Sequence, residues 1–350
     1  MGRRTVLGVL ITGGLVVGLA SPVSAASAGY GYVLVTKHKA KIGRAYKAKL
    51  AKDSAGGAPT VVRTAKGAYT VRFPKLGRRG GVAHVTPYGG TLNSCSVVDW
   101  TPKSAGRLDV RVYCVNPGGG KADTRFSLAY TNITTRTGRY AYVVSDKPSA
   151  ATFKPTSYRQ FNSTGGTNTI TRTATGRYTV SLPGLGSATS GGHPQVTAYG
   201  AVKARCNIMN WTTDADVKAQ VSCKNLDGDF RDTRFALTFV ANTGIQRRKP
   251  AAYALANDPG ATAPYTPQPI VAYDSADEAL TIHHEDEGEF RIEMPGQNLA
   301  KGNVQVVSGG LGPENYCGVD RWNPDDDVVV KCYTADGDPV DAVFLVSFQG

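Results

Sequence analysis

Hydrolytic chemistry needs a nucleophile, a general base and a group that orients the base, and the base is scarce in this sequence. None of the five histidines recurs in register with another, and no Gly-x-Ser-x-Gly motif is present. A histidine on a strand or loop is most often a surface residue. We therefore predict no catalytic residue and no cofactor. The histidines are His38, His84, His193, His283 and His284.

Carboxylates are concentrated near the C-terminus, where residues 252–350 hold 17 Asp and Glu. A carboxylate pair there could hydrolyse glycosides, so an extracellular hydrolase is the alternative function. His283 and His284 precede Glu285-Asp286-Glu287, but adjacent strand residues point to opposite faces and cannot readily share one ion. The Asp325–Asp327 run and the Asp336–Asp338 tract carry calcium-type ligands, yet we interpret the tract as a solvated turn. We predict no metal site.

The six cysteines form three pairs, separated by 19, 17 and 15 residues. The second cysteine of each pair continues an apolar alternation, as from Val112 to Cys114, and Val97 or its counterpart lies two residues after the first. Both sulfurs should therefore face the core, and each closed loop would contribute about 3 kcal/mol. Zinc would need closer ligand spacing. We predict the disulfides Cys95–Cys114, Cys206–Cys223 and Cys317–Cys332.

The cysteines belong to a threefold repeat with a period near 111 residues, as Cys95, Cys206 and Cys317 show. Other recurring landmarks are a Gly two residues before a Tyr or Phe, a Trp five residues after the first cysteine, and an Asp three residues before a Phe. The predicted organisation is a signal peptide (1–25), a first repeat (29–139), a second repeat (140–251) and a third repeat (252–350).

Within each repeat the apolar residues alternate, which predicts β-strands. Phe126, Leu128 and Tyr130 illustrate the pattern, and Gly- and Asp-rich turns separate the runs. Seven or eight short strands in about 110 residues predict an all-β protein of three tandem antiparallel β-sandwich units, Ig-like or jelly-roll-like, with one disulfide each. Two propeller blades per repeat are the rival architecture.

The tryptophans are harder to place from the pattern alone. On a straight strand, an odd spacing of five would put each Trp on the face opposite to its cysteine. An exposed Trp could stack on sugars, but we favour packing over the disulfide. The three residues are Trp100, Trp211 and Trp322.

Charge is distributed unevenly along the chain, whose formal net charge is +13. The first repeat has 20 Lys and Arg against 4 Asp, whereas the third has 4 against 17 acidic residues. The densest basic tract runs from Lys37 through Arg44 to Lys52. Such a tract favours adhesion to an anionic polymer. The opposite charges of the first and third repeats also predict salt-dependent compaction or self-association.

The N-terminus has the features of an export signal. Arg3 and Arg4 precede an apolar run, and Val23-Ser24-Ala25 supplies small residues for cleavage. The run is shorter than the ~20 residues of a membrane span. We therefore expect a secreted, extracellular mature chain that starts near Ala26 and contains no membrane span.

Several strings have a familiar form: GRYTVSLPGLG at 176–186, VTAYG at 196–200, the Cys-x4-Trp…Cys frame and DTRFALTF at 232–239. They resemble a recurrent unit in uncharacterised secreted proteins of high-GC Gram-positive bacteria. The resemblance implies a secreted β-rich repeat protein and brings no catalytic residues.

Together these features predict a non-enzymatic, exported binding or surface-associated protein. Its basic first repeat is expected to adhere to an anionic cell-wall polymer. Sequence motifs for specific nucleic-acid recognition are absent, so we do not expect a specific DNA-binding protein.

Overall fold

The computed structural model describes residues 1–2, 28–247, 250–310, 315–322 and 327–350. Residues 3–25 of the expected signal peptide, together with Asp325 and Asp326, lie outside the described residues. In the described part the chain is almost entirely antiparallel β-structure, arranged as six sheets. No helix in that part is long and apolar enough to cross a membrane.

The first repeat forms one sandwich, with a four-stranded sheet in the order β3-β1-β9-β6 and a five-stranded sheet in the order β2-β4-β5-β8-β7. A short 3₁₀ turn at Ser104–Gly106 precedes β8. The strands are β1 (Tyr30–Val35), β2 (Ala45–Lys47), β3 (Leu50–Asp53), β4 (Thr60–Ala65), β5 (Ala68–Phe73), β6 (Val82–Pro87), β7 (Ser94–Pro102), β8 (Leu108–Val115) and β9 (Phe126–Thr131).

The second repeat has the same arrangement, with sheets in the orders β12-β10-β18-β15 and β11-β13-β14-β17-β16. A 3₁₀ turn at Ser157–Arg159 lies between β11 and β12. The strands are β10 (Arg139–Ser145), β11 (Thr152–Phe153), β12 (Gln160–Asn162), β13 (Thr169–Ala174), β14 (Arg177–Leu182), β15 (His193–Ala198), β16 (Ala204–Thr213), β17 (Val217–Asn225) and β18 (Phe235–Ala241).

The third repeat pairs two four-stranded sheets, in the orders β20-β19-β26-β23 and β21-β22-β25-β24. Its 3₁₀ turns are Pro269–Val271 and Leu299–Lys301. The strands are β19 (Ala251–Ala256), β20 (Ala272–Asp274), β21 (Thr281–Asp286), β22 (Glu289–Glu293), β23 (Asn303–Ser308), β24 (Tyr316–Trp322), β25 (Asp327–Tyr333) and β26 (Phe344–Gln349).

Each sandwich encloses one apolar core built from both of its sheets, as the predicted alternation requires. In the first repeat, Val33 from one sheet and Val71 and Val110 from the other are fully buried. Leu128 and Leu237, on equivalent strands, are also fully buried. The predicted all-β sandwich architecture is therefore confirmed.

The three disulfides join Cys95 to Cys114, Cys206 to Cys223 and Cys317 to Cys332. Each links directly opposed residues of neighbouring antiparallel strands, with Cα atoms 4.0–4.1 Å apart. The bridges thus lie within one sheet, whereas the characteristic disulfide of an antibody domain joins its two sheets.

A β-bulge explains the odd spacing of the tryptophans. In β7 the register against β8 shifts between Val97 and Asp99, so two residues of β7 face one of β8. Trp100 therefore returns to the face of Cys95 and packs against the core of the first repeat. The other two tryptophan strands carry the same shift, between Ile208 and Asn210 and between Val319 and Arg321.

The recurring Asp is explained by a turn that it holds closed. Gly67 adopts φ +66° between β4 and β5, and a Cβ there would lie 2.5 Å from the Cys114 carbonyl oxygen. The Gly67 N–H donates to Asp123 Oδ1 (3.0 Å), and the same carboxylate accepts from Arg63. Equivalent bonds join Gly176 to Asp232 (2.8 Å) and Gly288 to Asp341 (2.8 Å).

The three sandwiches close into a ring. The N–H of Gly200 donates to the carbonyl of Val97 (2.8 Å), which joins the second repeat to the first. The equivalent bond from Gly310 to Ile208 (3.1 Å) joins the third to the second. The bond from Gly89 to Val319 (2.8 Å) joins the first back to the third. One contact repeated three times in a cycle gives the chain pseudo-threefold symmetry.

Equivalent strands β6, β15 and β23 contact one another at the centre of this ring. Their outward side chains, which the alternation alone would place in solvent, are buried there and many are polar. The buried polar residues of this centre include His84, Gln195, Gln305, Ser127, Thr238 and Ser347. Hydrogen bonds between repeats pair them, for example from Asn303 Nδ2 to Ser127 Oγ (2.6 Å).

Ring closure brings the basic first repeat against the acidic third repeat. The first and third repeats do meet within one molecule, but every ion pair among the described residues lies inside a single repeat. Uncharged contacts, such as that of Thr86 Oγ1 with Gln305 Oε1 (2.9 Å), join the two repeats instead. Among the described residues no ion pair joins the two repeats, and the salt-dependent compaction or self-association stays a prediction.

Candidate functional site

A basic strip follows one edge of the first sandwich. The connection from β1 to β3 passes from one sheet to the other, because β2 and β3 are edge strands of different sheets. Seven cationic side chains on this connection are exposed, and none has an ion-pair partner among the described residues. The strip consists of Lys37, Lys39, Lys41, Arg44, Lys47, Lys49 and Lys52.

More cations lie beside the end of this strip. The Lys75 N–H donates to Asp53 Oδ2 (3.0 Å), which holds the turn after β5 against the end of β3. That turn also carries Arg78 and Arg79, both exposed and without an ion pair in the described part of the chain. The basic surface thus extends from the sandwich edge to the boundary with the second repeat.

A cationic and aromatic cleft lies at this boundary. Two adjoining cavities of about 280 and 130 Å³ share Arg79, Gly80 and Tyr158 as lining residues. The Arg79 guanidinium carbon lies 3.8 Å from the centre of the Tyr158 ring, within the range of a cation–π contact. Hydrogen bonding from Arg159 lowers the pKa of Tyr158, and Thr156 and Arg79 act in the same direction.

Trp100 forms the inner wall of the smaller cavity. Its Nε1 donates to the Gly80 carbonyl oxygen (3.1 Å), and its ring meets Tyr199 of the second repeat edge-on, with centroids 5.3 Å apart. Arg159 pairs with Asp146 (3.2 Å), which leaves Arg78 and Arg79 as the cations available to a ligand. We call this region the cationic cleft; it can bind anionic groups and present rings for stacking.

A third cavity, of about 70 Å³, lies where the three repeats meet. One position of the repeat supplies Ser94, Arg205 and Tyr316 to its lining. Arg205 Nε donates to Ser94 Oγ (2.6 Å), and its guanidinium carbon lies 3.6 Å from the centre of the Tyr316 ring. Burial lowers the pKa of Arg205. The arginine therefore serves as packing between repeats.

Two of the five histidines are not surface residues, contrary to expectation. His84 and His193 are buried, at 2% and 1% exposure, because ring closure covers β6 and β15. The His84 ring nitrogens lie 3.1 Å from Thr197 Oγ1 and 2.8 Å from Thr238 Oγ1. Burial lowers the pKa of each histidine to about 3, so both are neutral. They are structural parts of the centre.

The acidic third repeat arranges its carboxylates around one arginine on an open sheet face. Arg291 contacts Glu285 (2.6 Å), Glu293 and Asp327 (3.7 Å). Five cavities in the described part of the chain have no Asp or Glu in their linings. The hydrolase alternative remains a prediction.

In the described residues, the histidines and carboxylates considered as metal ligands do not lie together. His283 Nε2 lies 3.1 Å from Glu293, whereas His284 Nε2 lies 2.8 Å from Asp341, the residue that holds the Gly288 turn. Asp338 closes a turn, with its N–H directed to Thr334 Oγ1 (3.2 Å). Among the residues described, no group of three or more His, Cys, Asp or Glu is placed to hold a metal ion.

The chain matches no protein-family model, no curated protein and no solved structure. The resemblance to secreted repeat units therefore stays a prediction. The cationic cleft itself had no signal in the sequence, because its residues come from two repeats that meet only after the ring closes.

Proposed function

We propose that this protein is an exported, non-enzymatic binding protein that adheres to an anionic cell-wall polymer through its first repeat. The observation that carries the proposal is the basic strip, where seven exposed cations have no ion-pair partner among the described residues. Like charges crowded on one edge destabilise the fold slightly, and a polyanion would relieve that repulsion.

The cationic cleft supports the same proposal at the other end of the basic surface. A chain polymer could lie along the strip and direct an anionic group to Arg78 and Arg79. Guanidinium groups bind phosphate and carboxylate oxygens in pairs, which adds geometric preference to the charge attraction of the lysines.

The location of the protein rests on separate features. Three disulfides are typical of an oxidising environment. The N-terminal basic pair and apolar run supply the export signal in this proposal, and the resemblance to secreted repeat units agrees with it.

Charge-matched variants test the proposal. Four lysines of the strip are changed to Gln, and a control changes four exposed lysines of the second repeat, so both proteins lose the same charge. Binding to immobilised poly(glycerol phosphate) is measured from low to high salt. The strip set is Lys37, Lys39, Lys41 and Lys47; the control set is Lys147, Lys154, Lys203 and Lys218.

We expect the strip variant to bind at least tenfold more weakly than the control variant and to show a shallower salt dependence, because fewer counterions are released. Equal affinity of the two variants would overturn the role of the strip. A polyuronate and duplex DNA serve as further probes. Equal binding of duplex DNA would favour a general polyanion surface over a wall-polymer site.

A further inference from the structure

The three boundaries between repeats are built on one plan, but one of them lacks a part. Where the first repeat meets the second, Trp100 packs edge-on against Tyr199, with ring centroids 5.3 Å apart. Where the third meets the first, Trp322 packs in the same way against Tyr88, at 5.2 Å. Where the second meets the third, the position of the tyrosine is Gly309.

The missing ring leaves a cavity of about 300 Å³ beside Trp211, which we call the slot. A cavity half that size, lined by apolar side chains, can hold a benzene ring, so the slot has room for a substituted one. Its volume is also at the lower end of the range for small-molecule sites. The lining includes Trp211, Met209, Leu255, Val271, Val343 and Leu345.

The chemistry of the slot differs from that of the cationic cleft, although the two are equivalent positions of the ring. Tyr158 and Arg159, which lie on the 3₁₀ turn beside the cleft, correspond to Ile270 and Val271 beside the slot. Val343 takes the position of Arg234 in the second repeat and of Arg125 in the first, whose guanidinium carbon lies 5.7 Å from the centre of the Tyr88 ring at the remaining boundary. Uncharged side chains thus replace the cations.

The side-chain oxygens of the two polar residues in the lining, Asn210 and Thr213, are not open to a ligand. Asn210 Oδ1 is inaccessible to solvent, and Thr213 Oγ1 donates to the Ser187 carbonyl oxygen (3.1 Å). The indole N–H of Trp211 is already used, because it donates to the Gly191 carbonyl oxygen (2.7 Å).

We propose that the slot binds a small molecule with a single aromatic ring. The ring takes the place that Tyr199 and Tyr88 occupy at the other two boundaries, edge-on to Trp211. This site is independent of the anionic-polymer function, because it lies between the second and third repeats and no cation lines it among the described residues.

The probe is 4-methylphenol, which is the side chain of tyrosine as a free molecule. Its binding is measured by calorimetry, with toluene and cyclohexanol as probes that lack the hydroxyl or the aromatic ring. We expect one saturable site for 4-methylphenol and for toluene, and at least tenfold weaker binding of cyclohexanol, which lacks the aromatic ring. Absence of saturable binding to the full chain would overturn the proposal.

Filling the slot should abolish binding. Gly309 has an ordinary φ, and a Cβ there would meet first the end of the Leu345 side chain (2.9 Å), which must shift slightly for Gly309→Tyr to supply the missing ring. Its matched control is Gly260→Tyr, where nothing lies within 4 Å. We expect at least a tenfold loss for the first variant and none for the second. Unchanged affinity in Gly309→Tyr would show that the molecule binds elsewhere.

A further variant keeps the test decisive if Gly309→Tyr does not fold. Val271→Trp fills the slot from its half-exposed wall, and we expect the same loss of binding. A folded Val271→Trp protein that bound 4-methylphenol as tightly as the unchanged chain would overturn the proposal.

Discussion

The boundary between the first and second repeats and the boundary between the second and third start from the same scaffold and end with different surfaces. Both have a Trp whose indole N–H donates to a glycine carbonyl, from Trp100 to Gly80 and from Trp211 to Gly191. The first boundary then adds Tyr199, Arg79 and Arg159, whereas the second has uncharged and mostly apolar side chains around an open slot. The side chains at one boundary of such a ring can therefore change while the contacts at the other boundaries keep the ring closed.

The largest effect should come from opening the filled boundary. Tyr199→Gly removes a ring that is 8% exposed and recreates the situation at Gly309. Loss of a buried aromatic side chain costs about 3–5 kcal/mol, because transfer and cavity terms add. We expect the free energy of unfolding to fall by about that amount in urea denaturation, with the fold retained.

The equivalent change at the remaining boundary, Tyr88→Gly, is the control and should cost less, since Tyr88 is only half-buried. A cost below about 1 kcal/mol for Tyr199→Gly would mean that the boundary is not held by this ring.

The stability of the boundary between the first and second repeats should depend on pH through His84. Its pKa is lowered to about 3 by burial, against about 6.5 in the unfolded chain. Between these values only the unfolded state binds the proton, so stability falls as the pH decreases from about 6.5 towards 3. The slope is about 1.4 kcal/mol per pH unit for one histidine.

His84→Gln removes this term with a residue that the chain itself uses at the equivalent positions, Gln195 and Gln305. We expect its unfolding free energy to decline less steeply than that of the unchanged chain between pH 6 and 4. Parallel pH profiles for the two proteins would contradict the prediction.

The sequence was sufficient to predict the features that depend on residues close together in the chain. Alternation identified strands such as β9 and β18, and the shared register of Cys114 and Val112 predicted disulfides that the structure contains. The turn-closing role of Asp123 was visible only as a recurrence, because its partner Gly67 is 56 residues away.

Other features depend on how strands pair and how repeats contact one another, which the pattern of a single strand does not show. The face of Trp100 was ambiguous because a bulge adds one residue between it and Cys95. The burial of His84 and Ser127 could not be predicted, since polar residues on alternate positions are typical of a solvent-facing side. Ring closure covers that side, and the cleft and the slot exist only because of it.

The tryptophans offer a finer comparison of the two boundaries. Trp211→Phe removes one hydrogen bond to a carbonyl, worth about 1 kcal/mol. Trp100→Phe removes the equivalent hydrogen bond to the Gly80 carbonyl oxygen. It also weakens the edge-on contact with Tyr199, which adds about 0.5–1.5 kcal/mol to the loss of stability. Denaturation should therefore rank Trp100→Phe as more destabilising. Equal costs would indicate that the contact with Tyr199 contributes nothing.

The smallest effect on stability concerns Arg79, where the second repeat has Ser190 at the equivalent position. Arg79→Ser converts the cationic cleft towards the uncharged chemistry of the other boundary. The arginine is exposed and its contact with Tyr158 contributes about 0.5–1 kcal/mol, so the melting temperature should change little. Binding of poly(glycerol phosphate) should nevertheless weaken severalfold, because one of the two available guanidinium groups is lost. The opposite outcome, a large loss of stability with unchanged binding, would make Arg79 a structural residue and confine polymer binding to the strip.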